Sequence, residues 1–248
     1  MNPSLLITGG SRGIGAATAV LAARRGWDVA INYTRDAAAA ERVAQQVRAA
    51  GRRALVVQAD VADEAQVLAM FAAVDREFGR LSGLVNNAGV VDMPARVDEM
   101  SLQRLQRMFA INLTGSFLCA REAVRRMSTK RGGAGGAIVN LSSASSKLGS
   151  PGQYVDYAAS KAGVDLMTLG LAREVATEGI RVNAVRPGII DTEIHASGGL
   201  PDRARQVAPQ VPMQRAGSAD EVAQAIVWLL SDEASYTTGA VLDVTGGR

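Results

Sequence analysis

Tyr157 and Lys161 stand four residues apart in Tyr157-Ala158-Ala159-Ser160-Lys161, within a segment from Tyr154 to Glu174 that has few helix breakers. Apolar residues recur there at Val155, Ala158, Ala162, Leu166 and Leu169, so the segment reads as a helix. Residues at i and i+4 share a helix face, which lets a phenol and an ammonium approach one point. A phenol ordinarily titrates near pH ~10, too high to exchange protons readily near neutrality. A neighbouring cation favours the phenolate and lowers that value, and a phenol so tuned serves as general acid and base. Tyr and Lys also meet at this spacing by chance on ordinary helices. The pair means chemistry only if a reactant and a place to bind it lie beside it.

Short apolar runs at 5–7, 29–31, 54–57, 84–85, 137–141, 182–185 and 241–242 read as strands, several of them apolar on consecutive residues as in strands covered on both faces. Helical patterns alternate with them at about 14–25, 36–50, 63–78, 101–130, 154–177 and 219–231. This alternation predicts a doubly wound α/β fold of the Rossmann type, with a parallel sheet between two helix layers. No linker, repeat or low-complexity tract divides the chain, so residues 1–248 are expected to form a single domain. Past the sixth strand, the stretch 188–215 holds Gly198, Gly199, Pro201, Pro209 and Pro212 and only weak helical periodicity, which suits a substrate lid.

The first strand runs into Thr8-Gly9-Gly10-Ser11-Arg12-Gly13-Ile14-Gly15 and then at once into an Ala-rich helix. Glycines there permit a tight turn and a close backbone approach to a diphosphate, and the helix start offers free N–H groups to the phosphates. The spacing G-x-x-x-G-x-G differs from the general dinucleotide fingerprint, and the Gly-Lys-Ser/Thr of a P-loop is missing. Nucleotide binding is the expectation; a structural glycine turn is the alternative. The second strand ends Ile31-Asn32-Tyr33-Thr34-Arg35, without the acid that binds the ribose hydroxyls of NAD. Arg35 and Arg12 are placed to meet a 2′-phosphate, and Asp36 reads as a helix cap. NADP(H) is therefore favoured, with NAD(H) as the alternative. Asp60-Val61 and Asn86-Asn87-Ala88-Gly89 end the third and fourth strands, where ligands of such sheets bind. Asp60 could accept from an adenine amino group, and Asn87 and Gly89 could shape the cofactor wall. Asn112 sits among apolar residues, either as a satisfied core group that bends the helix or as a holder of water beside a proton relay. Ser143 follows the fifth strand and could donate to a substrate carbonyl, with Ser142, Ser145 and Ser146 as competitors for that role. The sixth strand ends Pro187-Gly188-Ile189-Ile190-Asp191-Thr192.

Composition narrows the classes further. The chain is 48% hydrophobic and 21% charged, with a net charge of only +3 and aromatic residues at 4%. The basic residues are dispersed, so the pI of 9.3 brings no stacking platform or basic stripe for nucleic acid. One cysteine, Cys119, lies in an apolar run; it excludes an internal disulfide and reads as a core residue. The single histidine, His195, and the lack of a G-x-S-x-G elbow argue against a Ser-His-Asp hydrolase, and no metal-ligand cluster is visible. No apolar run is long enough to cross a bilayer and no leader is evident before Leu5, so a cytoplasmic protein is expected.

With Thr8-Gly9-x-x-x-Gly13-Ile14-Gly15, Asp60, Asn86-Asn87-Ala88-Gly89, Asn112, Ser143, Tyr157-x-x-x-Lys161 and Pro187-Gly188 in this order, the chain resembles the short-chain dehydrogenase/reductase family over nearly its full length. It is most similar to the bacterial branch that includes 3-oxoacyl-[acyl-carrier-protein] reductases and glucose dehydrogenases. The resemblance implies a seven-stranded parallel sheet in the order 3-2-1-4-5-6-7 and a homotetramer. It implies a carbonyl or alcohol substrate of small-molecule size, either 3-oxoacyl or sugar-type. Tyr157 would then exchange the proton, Lys161 would lower the tyrosine's pKa and bind the nicotinamide ribose, and Ser143 would hold the substrate oxygen. Asn112 would anchor a water leading from Lys161 to solvent. Gly9, Ser11, Arg12, Gly13, Ile14, Gly15, Tyr33, Arg35, Asp60, Val61, Asn87, Ala88, Gly89, Pro187, Gly188, Ile190 and Thr192 would line the cofactor, Thr192 at its carboxamide end. The segment from Gly149 to Tyr157 is one residue longer than in many relatives, which keeps Ser142 open beside Ser143. A non-catalytic nucleotide-binding regulator is the alternative from another class, though it would have no use for Ser143, Tyr157 and Lys161 together.

Overall fold

The computed structural model describes residues 2–248. The chain alternates strand and helix in the order β1 (Ser4–Ile7), α1 (Gly13–Arg24), β2 (Asp28–Tyr33), α2 (Ala37–Ala49), β3 (Ala54–Gln58), α3 (Glu64–Phe78) and β4 (Gly83–Asn86). It continues with α4 (Leu102–Phe109), α5 (Gly115–Met127), β5 (Gly136–Leu141), α6 (Ser145–Leu148), α7 (Val155–Val175) and β6 (Ile180–Pro187). Two short helices, α8 (Ile194–Ser197) and α9 (Arg203–Val207), precede α10 (Ala219–Leu230) and β7 (Val241–Val244). All seven strands form one parallel sheet in the order β3-β2-β1-β4-β5-β6-β7, as expected.

Strand pleating sends alternate side chains to opposite layers. Leu5, Ile7, Val29, Ile31 and Val85 pack against α1, α2 and α10. Leu6, Ala30, Leu84 and Ile138 pack on the other face against α3, α5 and α7. This is why the central strands read as unbroken apolar runs. Cys119 belongs to the second layer, fully buried, and burial pushes its thiol up to about 12, as suits an inert core residue. Because β1 pairs with β2 on one side and β4 on the other, the order in which strands are added to the parallel sheet reverses between β1 and β4. A crevice opens there at the carboxyl ends of the strands.

Two segments depart from the sequence expectation. The single helix expected over 101–130 is two helices joined by a π-helical turn at Ala110–Thr114, with fully buried Asn112 inside it. A π-helical turn thus stands where a local bend is read from Asn112, and the Asn112 side chain bonds Val90 there. The stretch 188–215 is more ordered than its glycines and prolines suggest, since α8, α9 and a 3-10 turn at Ala208–Gln210 occupy it. Among the described residues, no helix is long and apolar enough to cross a membrane.

Candidate active site

At the end of β1, Gly13 adopts φ +53°, in the left-handed region that favours glycine. Two residues later, a Cβ on Gly15 would stand 2.5 Å from the Gly9 carbonyl and 2.6 Å from Asn87 Nδ2, so only glycine fits. Helix α1 therefore starts hard against the strand ends and directs its free N–H groups into the crevice, a cradle suited to a diphosphate. The cradle is tied on both sides. The Thr8 hydroxyl accepts from the Asn87 and Ala88 N–H groups at 3.0 Å each, while Asn87 Nδ2 donates to the Thr8 and Gly9 carbonyls at 2.9 Å. Asn32, buried in β2, accepts from the Gly9 N–H at 3.1 Å and donates to the Ala59 carbonyl at 3.0 Å, which locks the loop to the end of β3. The sequence reading assigned Asn32 no role. Its signal was a polar residue closing the apolar run Val29-Ala30-Ile31.

The expected adenosine-side residues lie around this cradle. Arg12 caps α1 and, like Arg35 after β2, is exposed. Asp36 accepts from the Ala39 N–H at 2.8 Å and so caps α2, which agrees with its reading as a cap. Tyr33 and Ser11 are half-buried beside the loop. Asp60 turns the chain by accepting from the Ala62 N–H at 2.9 Å. Val61 is buried, and a Cβ on Gly115 would lie 2.8 Å from its Cγ2, so it supports α5 from behind.

The reacting end of the crevice gathers Ile14, Asn87 and Gly89 with Leu141, Ser142, Ser143, Tyr157, Lys161, Pro187, Gly188, Ile190 and Thr192 in one cleft. Helix α7 supplies Tyr157 and Lys161, and β5 delivers Ser143 opposite them. The two serines differ in employment. Ser142 is buried and donates to the Lys161 carbonyl at 3.2 Å, so it fastens β5 to α7. Ser143 faces the phenol, whose acidity it favours by hydrogen bonding. Thr192 stands across the cradle mouth, 3.4 Å from where a Gly13 Cβ would be.

The expected tuning of the phenol runs the other way among the protein's own groups. Burial pushes Tyr157 up, and the Ser143 hydroxyl only opposes that rise. Lys161 Nζ lies 5.7 Å from the centre of the phenol ring and donates to the Leu141 carbonyl at 2.7 Å, so its charge is spent partly on β5. Lys161 is only 4% exposed, and the same burial takes its ammonium down to about 8 against the pull of Asp165. Asn112 is equally committed. Its Oδ1 accepts from the Val90 N–H at 2.8 Å, and its Nδ2 donates to the Val90 carbonyl at 2.9 Å. A further contact reaches the Ser160 hydroxyl at 3.3 Å. The side chain thus clamps the β4–α4 loop through Val90. A Cβ on Gly89 would lie 3.4 Å from Lys161 Nζ and 3.5 Å from Asn112 Oδ1, so this clamp sets the wall beside the lysine. Asn86 likewise turns inward, bonding Asn140 and the Ser116 carbonyl.

Beyond Tyr157 the cleft continues past Val91, Ser145, Tyr154, Ile194, His195 and Arg203. His195 bonds the Ile190 carbonyl at 2.9 Å, and burial with nearby Arg203 lowers its pKa, so it stays neutral near pH ~7. Arg203, which the sequence offers with Arg205 either as a solvated lid arginine or as a contact for an anionic substrate, lies in this cleft beside Tyr154. Tyr154 caps the helix three residues before Tyr157, and only the packing of α9 over it brings it into the cleft.

A family model described as enoyl-(acyl carrier protein) reductase matches residues 9–248. The uncharacterized oxidoreductase YgfF of Escherichia coli K12 is 57% identical over 243 residues, which are 98% of each chain. The cis-4-hydroxycyclohexanecarboxylate dehydrogenase of Sinomonas cyclohexanicum is 44% identical over 245 residues, 98% of this chain and 94% of the other. Among solved structures, a double mutant of a Serratia marcescens short-chain dehydrogenase/reductase has a TM-score of 0.91 at 36% identity, covering 99% of this chain and 97% of that one.

Proposed function

The chain belongs to the short-chain dehydrogenase/reductase family of oxidoreductases, which use nicotinamide cofactors, and we propose that it interconverts a small carbonyl compound and its secondary alcohol with NADP(H). The observation that carries this reading is the convergence of Tyr157, Ser143 and Lys161 on the cleft that also holds Ile14, Asn87 and Gly89 of the glycine cradle. The cradle fits a dinucleotide: Gly15 lets α1 start hard against the Gly9 carbonyl and Asn87, which brings the helix N-terminus with its free N–H groups to the crevice. The bound nicotinamide supplies or accepts the hydride. Ser143 holds the substrate oxygen in hydrogen-bond reach of the phenol. Tyr157 gives its proton to that oxygen during reduction and takes it back during oxidation. A phenol held high by burial is protonated at neutral pH and is poised as the acid of the reductive direction. Lys161 brings positive charge to the phenolate as it forms, and Asn112 positions the Val90 and Gly89 backbone beside that lysine.

Preference for NADP(H) over NAD(H) rests on Arg12 and Arg35, exposed at the adenosine end, and on Asp36 being spent as a helix cap. The substrate that the Sinomonas relative is named for, cis-4-hydroxycyclohexanecarboxylate, carries a secondary alcohol, which supports the same reaction class here. The 3-oxoacyl and sugar-type candidates also fall within that class. We infer one domain with 188–215 as the lid. Exposed Leu102, Phe117 and Leu166 on α4, α5 and α7 supply apolar surface for the homotetramer, whose mass light scattering would measure. The deciding experiment is Tyr157→Phe. The variant is expected to bind NADPH as wild type does and to lose turnover of every carbonyl tested. Near-wild-type rates would overturn the assignment and point to Tyr154 as the acid.

A further inference from the structure

The cleft around Tyr157 has no acidic side chain in its wall. Its charged residues are Lys161 and Arg203, with neutral His195 between the apolar groups of the outer part. Lys161 is spoken for by the Leu141 carbonyl and by the phenol beside it. Arg203 is differently placed. It comes from α9, and its guanidinium carbon lies 5.0 Å from the centre of the Tyr154 ring. One of its nitrogens donates to Gln153 Oε1 at 2.7 Å. Both partners are neutral, and among the described residues Arg203 takes part in no ion pair. Its neighbours show the contrast. Asp202 is already paired with Arg205 at 2.8 Å, and the Arg205 side chain is 81% exposed to solvent.

A guanidinium held over an aromatic face, with most of its five donors unspent, can meet the fork geometry of a carboxylate. Stacking and the Gln153 bond fix the side chain beforehand, so little rotamer entropy is left to lose on binding. The platform is also rigidly referenced to the chemistry, because Tyr154 precedes Tyr157 by three residues at the start of the same helix.

Resting on the reductase reading above, we propose that Arg203 receives a carboxylate on the substrate, which makes the substrate class a small keto acid and its hydroxy acid. The carboxylate is held at Arg203 while the carbonyl oxygen lies at Ser143 and Tyr157, two anchors that fix the reacting carbon between them. Gln153 and Tyr154 are positioning residues for the guanidinium.

The test is steady-state reduction of 4-oxocyclohexanecarboxylate and 4-oxopentanoate, each beside its methyl ester, followed by nicotinamide absorbance. Wild type, Arg203→Ala and Arg203→Lys are compared. Wild type should prefer each acid to its ester in kcat/KM. Arg203→Ala should shrink that preference by about tenfold to a hundredfold, chiefly through the KM of the acid. Arg203→Lys should restore part of it, since the charge returns without the stacked fork. Cyclohexanecarboxylate, which cannot be reduced, should compete with the keto acid in wild type and much more weakly in Arg203→Ala. Equal turnover of acids and esters by wild type, or a loss in Arg203→Ala shared equally by both, overturns the proposal and leaves the reductase reading intact. Failure of wild type to reduce any of the four compounds, or a neutral ketone, with NADPH or NADH sinks both.

Discussion

Replacing Lys161 by Met should make the protein more stable and inactive at once. The ammonium is buried and has one protein acceptor, the Leu141 carbonyl. Asp165, one turn further along α7, is already paired with Arg186 at 2.9 Å and cannot serve as a full counter-charge. The fold therefore lowers the amine from an ordinary 10.5 to about 8, which corresponds to about 3 kcal/mol of preference for the neutral form. Below about pH 8 both folded and unfolded chains hold the proton and the fold bears that whole penalty. Between there and 10.5 the unfolded chain keeps a proton the folded chain has released, so wild-type stability rises with pH. Methionine fills the same space without the charge. It leaves the Leu141 carbonyl without its donor, at a cost of about 1–2 kcal/mol. The net gain is about 2 kcal/mol near pH 7, fading as pH approaches 10.5. Urea unfolding of both proteins without cofactor, near neutrality and near pH ~10, reads this directly. A variant less stable than wild type near neutrality, or a gain of the same size at both pH values, would refute the reasoning.

Other outcomes follow from the same geometry. Arg35→Ala should weaken NADPH binding about tenfold to a hundredfold relative to NADH, measured as the ratio of their dissociation constants. Arg104→Ala strands the buried Asp156 carboxylate, which Arg104 holds at 2.7 and 3.2 Å, and should cost about 3–5 kcal/mol in urea unfolding. A double variant with apolar residues at both positions should recover most of that loss. Gly15→Ala forces a Cβ onto the Gly9 carbonyl and Asn87, so calorimetry should show NADPH binding lost together with about 1–3 kcal/mol of stability. Ser143→Ala should depress kcat, whereas Ser142→Ala, which cuts a tie between β5 and α7, should appear mainly as about 1 kcal/mol of lost stability.

Much of this is legible in the amino-acid sequence. Short unbroken apolar runs marked all seven strands and a 3.6 period the main helices, because strands buried on both faces must be apolar throughout. Asn112 announced the bend in the helix over 101–130 as a polar residue no helix core could leave unbonded. Other features had no local signature. Which serine faces the phenol depends on how β5 lies against α7, and neighbouring residues on a strand end point opposite ways. Asn32 stands out as a polar residue closing an apolar run, but its partner, the Ala59 carbonyl just past β3, is distant in sequence and is set only by the fold. The segment 188–215 reads as loop because its helices are too short to show a period.

The sequence by itself determined the chemistry's cast: a glycine cradle after the first strand, and Tyr157 and Lys161 on one helix face. Those facts are local, set by residue type and by the 3.6-residue turn. The tertiary structure decided how the cast is tuned. Proximity on a helix predicts that a lysine lowers a phenol's pKa, yet burial raises Tyr157 and lowers Lys161, because desolvation depends on everything packed around a group. Only packing, too, set Arg203 on the Tyr154 ring, in a cleft whose wall holds no carboxylate.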